Sequence, residues 1–198
     1  MNAAIASDVK VQQILQAVRN ILVKNGYAGT TISLVAAEAG VSRGLLHYYF
    51  KNKDEMLAKV LEENMLASVA LAAGLFEKSH SAAEIAHGFI QALRTVLKAD
   101  PDFFHLFFEG WAVARQSTLV DGRLKALYGQ FRMAVRDGLA HALEDGRIAT
   151  TLSVDGLAVL ITGIIDGLGL QLVTEPSLAD DERIWAAAAD GIVRLLES

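Results

Sequence analysis

Apolar residues recur at three- and four-residue intervals through almost the whole chain, and no stretch alternates between apolar and polar positions as a half-buried strand would. The pattern predicts an all-α protein. Over residues 9–24 the stripe is Val11, Ile14, Leu15, Val18, Ile21 and Leu22, and it stops at Asn25-Gly26, where glycine can serve as a left-handed C-cap. Thr30-Thr31 then offers a cap for a short helix that turns Val35 and Ala36 inward and ends at Ala39-Gly40. Ser42 caps a second short helix carrying Leu45 to Phe50. Asn52 with Lys53-Asp54 opens a long fourth helix through Met56, Leu57, Val60, Leu61 and Met65, reaching about residue 78.

Two short helices joined by a glycine turn, behind a longer first helix, form a helix-turn-helix layout, whose second short helix enters the DNA major groove. That layout assigns the run AGVSRGLLHYYFKNK. A surface helix buries only about one residue in three or four, so Val41, Leu46 and Phe50 take the inner positions and the other side chains are left to face DNA. The expected contact set is Thr31, Ser33, Ser42, Arg43, Gly44, Leu45, His47, Tyr48, Tyr49 and Lys53. Arg43 can pair its fork with guanine O6 and N7, and Leu45 can meet a thymine methyl. Thr31, Ser33, His47, the tyrosine hydroxyls and Lys53 are suited to phosphate oxygens, which position a helix without reading sequence.

Further along, Asp100-Pro101 predicts a helix start, and Phe103, Phe104, Phe107, Phe108 and Trp111 follow on one broad face. Such a stripe packs a core or lines a small-molecule cavity, since ligand sites are mostly apolar with a few placed polar groups. The candidate ligand-binding residues are Phe104, Phe107, Phe108, Trp111, Arg115, Tyr128 and Asp166, with His105, Glu109 and Arg132 as further polar candidates. Asp166 interrupts a long apolar segment, and a buried carboxylate requires a partner or a ligand. It either bonds to a neighbouring helix or the other subunit, or anchors a basic or hydroxylated ligand. Helices over 153–173 and 178–196 are read as the dimer element. Gly156, Gly163, Gly167 and Gly169 permit close approach, while Trp185, Ile192, Val193, Leu195 and Leu196 offer an apolar face for a twofold bundle.

Composition sharpens this picture. The hydrophobic content of 53% and a mean hydropathy of +0.33 call for a hidden subunit interface or cavity. The net charge of −5 looks wrong for a DNA binder until it is divided along the chain. Residues 1–53 carry Lys10, Arg19, Lys24, Arg43, Lys51 and Lys53 against Asp8 and Glu38, so a head of +4 sits on a body of −9. Without cysteine there is no disulfide framework, which suits a cytoplasmic protein. The first residues, MNAAIASDVKVQQ, lack the pattern of a signal peptide. The apolar run over 157–173 is interrupted by Asp166 and falls short of the roughly 20 residues of a membrane span. Nucleophile elbows, zinc-protease histidine pairs and phosphate loops are missing, and His47, His80, His87, His105 and His141 show no ligand spacing. No enzyme activity, metal or cofactor is therefore expected.

Gly26-Tyr27, Thr30-Thr31-Ile32, Val35-Ala36, Ala39-Gly40-Val41-Ser42, Gly44, Leu46, Tyr48, Phe50, Lys53-Asp54 and Leu57 resemble, in order and spacing, the N-terminal signature of TetR-family transcriptional regulators. His47 departs from the tyrosine usual there, which would make a phosphate contact pH-sensitive. Leu45 stands where a small residue or threonine is common. EGWAVAR and DGLGLQL make the rest similar to the branch typified by the choline-responsive betaine regulator. The resemblance implies a helix-turn-helix DNA-binding domain over 1–53 and a helical ligand-binding and dimerisation domain over 54–198. It further implies a homodimeric repressor of an approximately palindromic DNA operator, released by a small-molecule effector. A protein partner in place of the small molecule is the alternative.

Overall fold

Nine α-helices, with no strand among the described residues, account for nearly all of the chain. The computed structural model describes residues 2–198, with side chains from Val9 onward. Met1 and the side chains of residues 2–8, which bear on the signal-peptide reading, lie outside the described residues. The helices are α1 (Asn2–Gly29), α2 (Ile32–Glu38), α3 (Arg43–Tyr49), α4 (Lys53–Lys78), α5 (Ala82–Ala99), α6 (Phe103–Ala114), α7 (Thr118–Glu144), α8 (Val154–Thr174) and α9 (Glu182–Leu196). A 3-10 turn, Pro176–Asp180, precedes α9.

Three boundaries differ from the sequence reading. Gly26 has φ 64° and ψ 176°, so it breaks α1 without capping it. That conformation is essentially reserved for glycine, and residues 27–29 resume the helix beyond it. Before α6, the Asp100 side chain accepts from the Asp102 amide at 3.1 Å and its carbonyl from the Phe103 amide at 3.2 Å. This turn delays the helix to Phe103. Ahead of α9, Asp181 accepts from the Arg183 amide and caps the helix after the 3-10 turn.

The chain divides into two compact units. One comprises Met1–Asn64 and His105–Leu127, so it contains all of residues 1–53 and adds others to them. Its core is Ile14, Leu15, Val18 and Leu22 of α1, Val35 of α2, Leu46 of α3, Met56, Leu57 and Leu61 of α4, and Leu106, Phe107 and Leu124. The second unit comprises Met65–Phe104 and Tyr128–Ser198. There α5 packs along α9, with Ile85, Phe89 and Leu93 buried on one side and Trp185, Ile192 and Leu196 on the other. Trp185 donates its indole N–H to the Ala179 carbonyl at 2.9 Å, and Arg94 stacks over the ring while it pairs with Glu182 at 2.5 Å.

Of the α9 residues read as an apolar face, Trp185, Ile192 and Leu196 are buried within their own unit, where α9 packs on α5, and Val193 and Leu195 are half-buried. On α8, by contrast, Val159, Leu160 and Leu170 are 57%, 48% and 47% exposed beside exposed Gly163 and Gly167. Gly169 points the other way: a Cβ there would stand 2.3 Å from the Phe104 ring, so close approach of that ring requires glycine. The helix, Val154–Thr174, has the length read from the sequence, shifted by one residue. Its 21 residues are long and apolar enough to cross a membrane by length and composition, a test that core helices also pass. One side, with Leu157, Ala158, Ile161 and Leu172, is buried in the second unit.

Candidate nucleic-acid interface and effector site

The α2–turn–α3 segment is held by local bonds that its own sequence supplies. Thr31 accepts from the Leu34 amide at 3.2 Å to cap α2, and Ser42 accepts from the Leu45 amide at 3.1 Å to cap α3. Between them Gly40, at φ 61°, closes α2: the Val41 amide bonds to the Ala36 carbonyl at 2.9 Å and the Gly40 amide to the Ala37 carbonyl at 3.1 Å. This pair of bonds is the Schellman arrangement, which satisfies carbonyls a helix end leaves open. Gln13 of α1 donates to the Ala39 carbonyl at 2.9 Å, and Asn20 donates to Glu38 at 3.0 Å, fixing the turn to α1. Leu46 is wholly buried and Phe50 nearly so, and burying a leucine contributes about 2 kcal/mol. Together they set the rotation of α3, and with it the side chains that face solvent.

The outward set is Arg43, Gly44, His47 and Tyr48, all exposed, with Leu45 and Tyr49 half-buried. Tyr48 is 81% exposed and meets Tyr49 edge-on at 5.2 Å. A helix of seven residues thus presents a guanidinium, an imidazole and two phenols to solvent. Arginine can pair bidentately with guanine, and tyrosine hydroxyls are among the groups that donate to phosphate oxygens. Thr31 and Ser42 use oxygen lone pairs for capping and keep their hydroxyl protons to donate. Ser33 is half-buried.

Lys53, read as a phosphate donor, also makes contacts inside the protein. Its ammonium lies 4.0 Å above the Tyr27 ring and donates to the Tyr27 carbonyl at 3.3 Å. Part of its donor capacity is spent inside the protein, and the remaining N–H groups are those left for a phosphate.

The effector candidates fall in both units. Phe104, Tyr128 and Asp166 belong to the second, where the structure brings them together. The Tyr128 hydroxyl donates to Asp166 Oδ1 at 3.2 Å, and the Phe104 ring, edge-on to Phe103, rests against Gly169 one turn of α8 further on. Burial pushes the Asp166 carboxyl up to about 6, against the opposing pull of the Tyr128 hydroxyl and the nearby Arg132 charge. Such a group is poised to gain from a cationic or hydrogen-bonding neighbour. Phe107, Phe108, Trp111 and Arg115 belong to the first unit. Phe107 is buried, Phe108 is half-buried, Trp111 is 44% exposed and Arg115 is exposed. Sequence reasoning missed Tyr27, Asp54 and Ser117, whose side chains bond to one another across large sequence separations. Tyr27 and Asp54 stood out in the sequence only as members of the N-terminal signature, with no role attached.

Two family models match the chain. The model described as bacterial regulatory proteins of the tetR family covers residues 14–60, and the one described as BetI-type transcriptional repressor, C-terminal, covers residues 82–197. Over 163 residues the sequence is 23% identical to the HTH-type transcriptional repressor AcnR of Corynebacterium jeikeium, spanning 79% of this chain and 77% of that one. It is 38% identical over 56 residues to a fatty acid metabolism regulator protein of Bacillus subtilis, a match confined to 28% of this chain and 29% of that one. Among solved structures, the transcriptional regulator FadR from Bacillus subtilis in complex with stearoyl-CoA superposes with a TM-score of 0.78 at 21% identity, covering 95% of this chain and 98% of that one.

Proposed function

Because the chain belongs to the TetR family of bacterial regulatory proteins, we propose that it works as a cytoplasmic, ligand-responsive homodimeric repressor in which α3 reads operator DNA. The observation that carries this reading is the capped α2–turn–α3 segment, rotated by buried Leu46 so that Arg43, His47 and Tyr48 face outward. Arg43 reads guanine; Thr31, Ser33, Ser42, His47, Tyr48, Tyr49 and Lys53 hold phosphates; Gly44 and Leu45 lie against the groove. The functional division is then a DNA-binding head over 1–53 and a ligand-binding and dimerisation body over 54–198.

A second copy covers the exposed apolar face of α8. Twofold symmetry then sets two copies of α3 about 34–36 Å apart, one turn of DNA, so the operator is an approximate palindrome. The effector is a basic or hydroxylated small molecule held within the second unit by Asp166, Tyr128 and Phe104. The neighbouring FadR structure is in complex with stearoyl-CoA, which supports a small-molecule effector. Release follows when the effector prefers the conformation whose heads no longer match the operator; moving that equilibrium from 1:99 to 99:1 takes about 5.5 kcal/mol of differential affinity. The single helix α4, running from Lys53 to Lys78, is the lever. A protein partner in place of the small molecule is the second reading, favoured by the exposure of Trp111.

The test is selection of bound sequences from random duplex DNA by the purified protein, with Arg43→Ala alongside. Recovery of one palindrome, relaxed at a guanine position in the variant, supports the reading. A wild-type protein that recovers no motif refutes it.

A further inference from the structure

The break in α1 at Gly26 frees the backbone N–H of Tyr27 from its place in the helix, and Glu109 of α6 takes it with Oε1 at 2.6 Å. The Tyr27 side chain is held as well. Its hydroxyl donates to Asp54 Oδ1 at the start of α4. The second carboxylate oxygen of Asp54 accepts from the Ser117 hydroxyl at 2.6 Å, and Ser117 Oγ also accepts from the Val120 amide at 3.3 Å, capping α7. Lys53 closes the cluster from the other side of the Tyr27 ring. Thr30 then bonds back to the Gly26 carbonyl at 2.7 Å, and the next residue, Thr31, caps α2. Within four residues of the break the chain is therefore tied to α4, α6 and α7, immediately before it enters the helix-turn-helix.

We propose that Glu109 and the Tyr27–Asp54–Ser117 chain are positioning residues for operator binding, clamping the bend ahead of α2 to α6 and to the cap of α7. The inference rests on the reading that α3 binds DNA, and it adds to that reading a route through α6 and the α7 cap that meets α4 only at its first turn. A shift of α6 or of the α7 N-terminus displaces Tyr27, and the Thr30–Thr31 step passes the displacement to α2 and α3. The charges suit a permanent clamp. The Ser117 and Tyr27 hydroxyls hold the Asp54 carboxyl below the usual carboxylate range, while burial, followed by the Asp54 bond, pushes the Tyr27 phenol up to about 12. Asp54 stays ionised and Tyr27 stays protonated throughout the neutral range, so helix movement is what opens the contact.

The experiment measures operator affinity and nonspecific duplex affinity for Glu109→Ala, Glu109→Gln, Tyr27→Phe and the Glu109→Ala/Tyr27→Phe pair. The operator is the palindrome the wild-type protein selects, and each variant is held at a temperature where circular dichroism shows it fully folded. The expected result is a loss of about tenfold or more in operator affinity for Glu109→Ala, the scale of one charge-assisted hydrogen bond. Nonspecific binding stays unchanged, Glu109→Gln recovers part of the loss, and the double variant loses less than the product of the two single losses. Folded variants that bind the operator as tightly as wild type overturn the clamp alone, as do losses that multiply independently. A wild-type chain that selects no duplex overturns the α3 reading, and the clamp with it.

Discussion

Replacing Asp166 by asparagine should stabilise the protein at neutral pH and leave it unchanged in acid. Folding carries this carboxyl from its ordinary 3.8 to about 6 because burial disfavours the charged form. The folded state therefore binds the proton more tightly than the unfolded chain. Stability is fully present below about pH 4, falls as the pH rises toward 6, and is level above that. At 1.36 kcal/mol per pH unit of displacement the loss has an upper bound of about 3 kcal/mol, and the half-buried position of the group brings it to about 1–2 kcal/mol. Asparagine keeps an oxygen to accept the Tyr128 hydroxyl and never ionises. At pH 7.5 the Asp166→Asn protein should resist unfolding by about 1–2 kcal/mol more than wild type, or roughly 3–6 °C in a chain of this size. At pH 4 the two should coincide. Urea titrations of both proteins at one fixed protein concentration, stepped across this pH range, measure the difference. A gap that does not change with pH, or an asparagine protein less stable than wild type at pH 7.5, refutes the assignment of burial as the dominant influence on Asp166.

Two further outcomes follow from the packing. Gly169→Ala drives a methyl group into the Phe104 ring, at 2.3 Å in the unrelaxed structure; it should destabilise the second unit by about 1–3 kcal/mol by denaturant titration, and Phe104→Leu in the same chain should recover part of the loss. Leu160→Glu places a charge on the uncovered face of α8 and should convert a sedimenting dimer into a monomer with little change in helicity, whereas a variant that stays dimeric assigns the interface elsewhere.

The parts of this protein that could be read from its sequence are those fixed by neighbours in the chain. Thr31, Gly40 and Ser42 act within three or four residues, so the caps and turn of the helix-turn-helix were visible as residue types at fixed offsets, and the burial of Leu46 followed from helical spacing. The face of α9 was equally visible, but amphipathicity states only that a face is covered; that α5 covers it is a tertiary fact. The Tyr27 cluster joins residues separated by 27, 63 and 82 positions, and no local pattern marks such partners. Lys53 was read as a phosphate donor from its charge beside the helix-turn-helix, and the ring that attracts part of that charge lies 26 residues earlier. Trp111 shares a helical face with buried Phe107 in sequence, yet that face is too broad for one packing surface to cover, and the indole is left half in solvent.

The most direct test of the central claim, that two copies of α3 lie in successive major grooves, is methylation interference on the selected duplex. Methylation of guanine N7 fills the major-groove position that Arg43 is assigned to read. It should block binding at two symmetric half-sites about one helical turn apart, and Arg43→Ala should be indifferent to the same modification. Binding that tolerates N7 methylation throughout the site, or that is blocked in one half only, would contradict that claim.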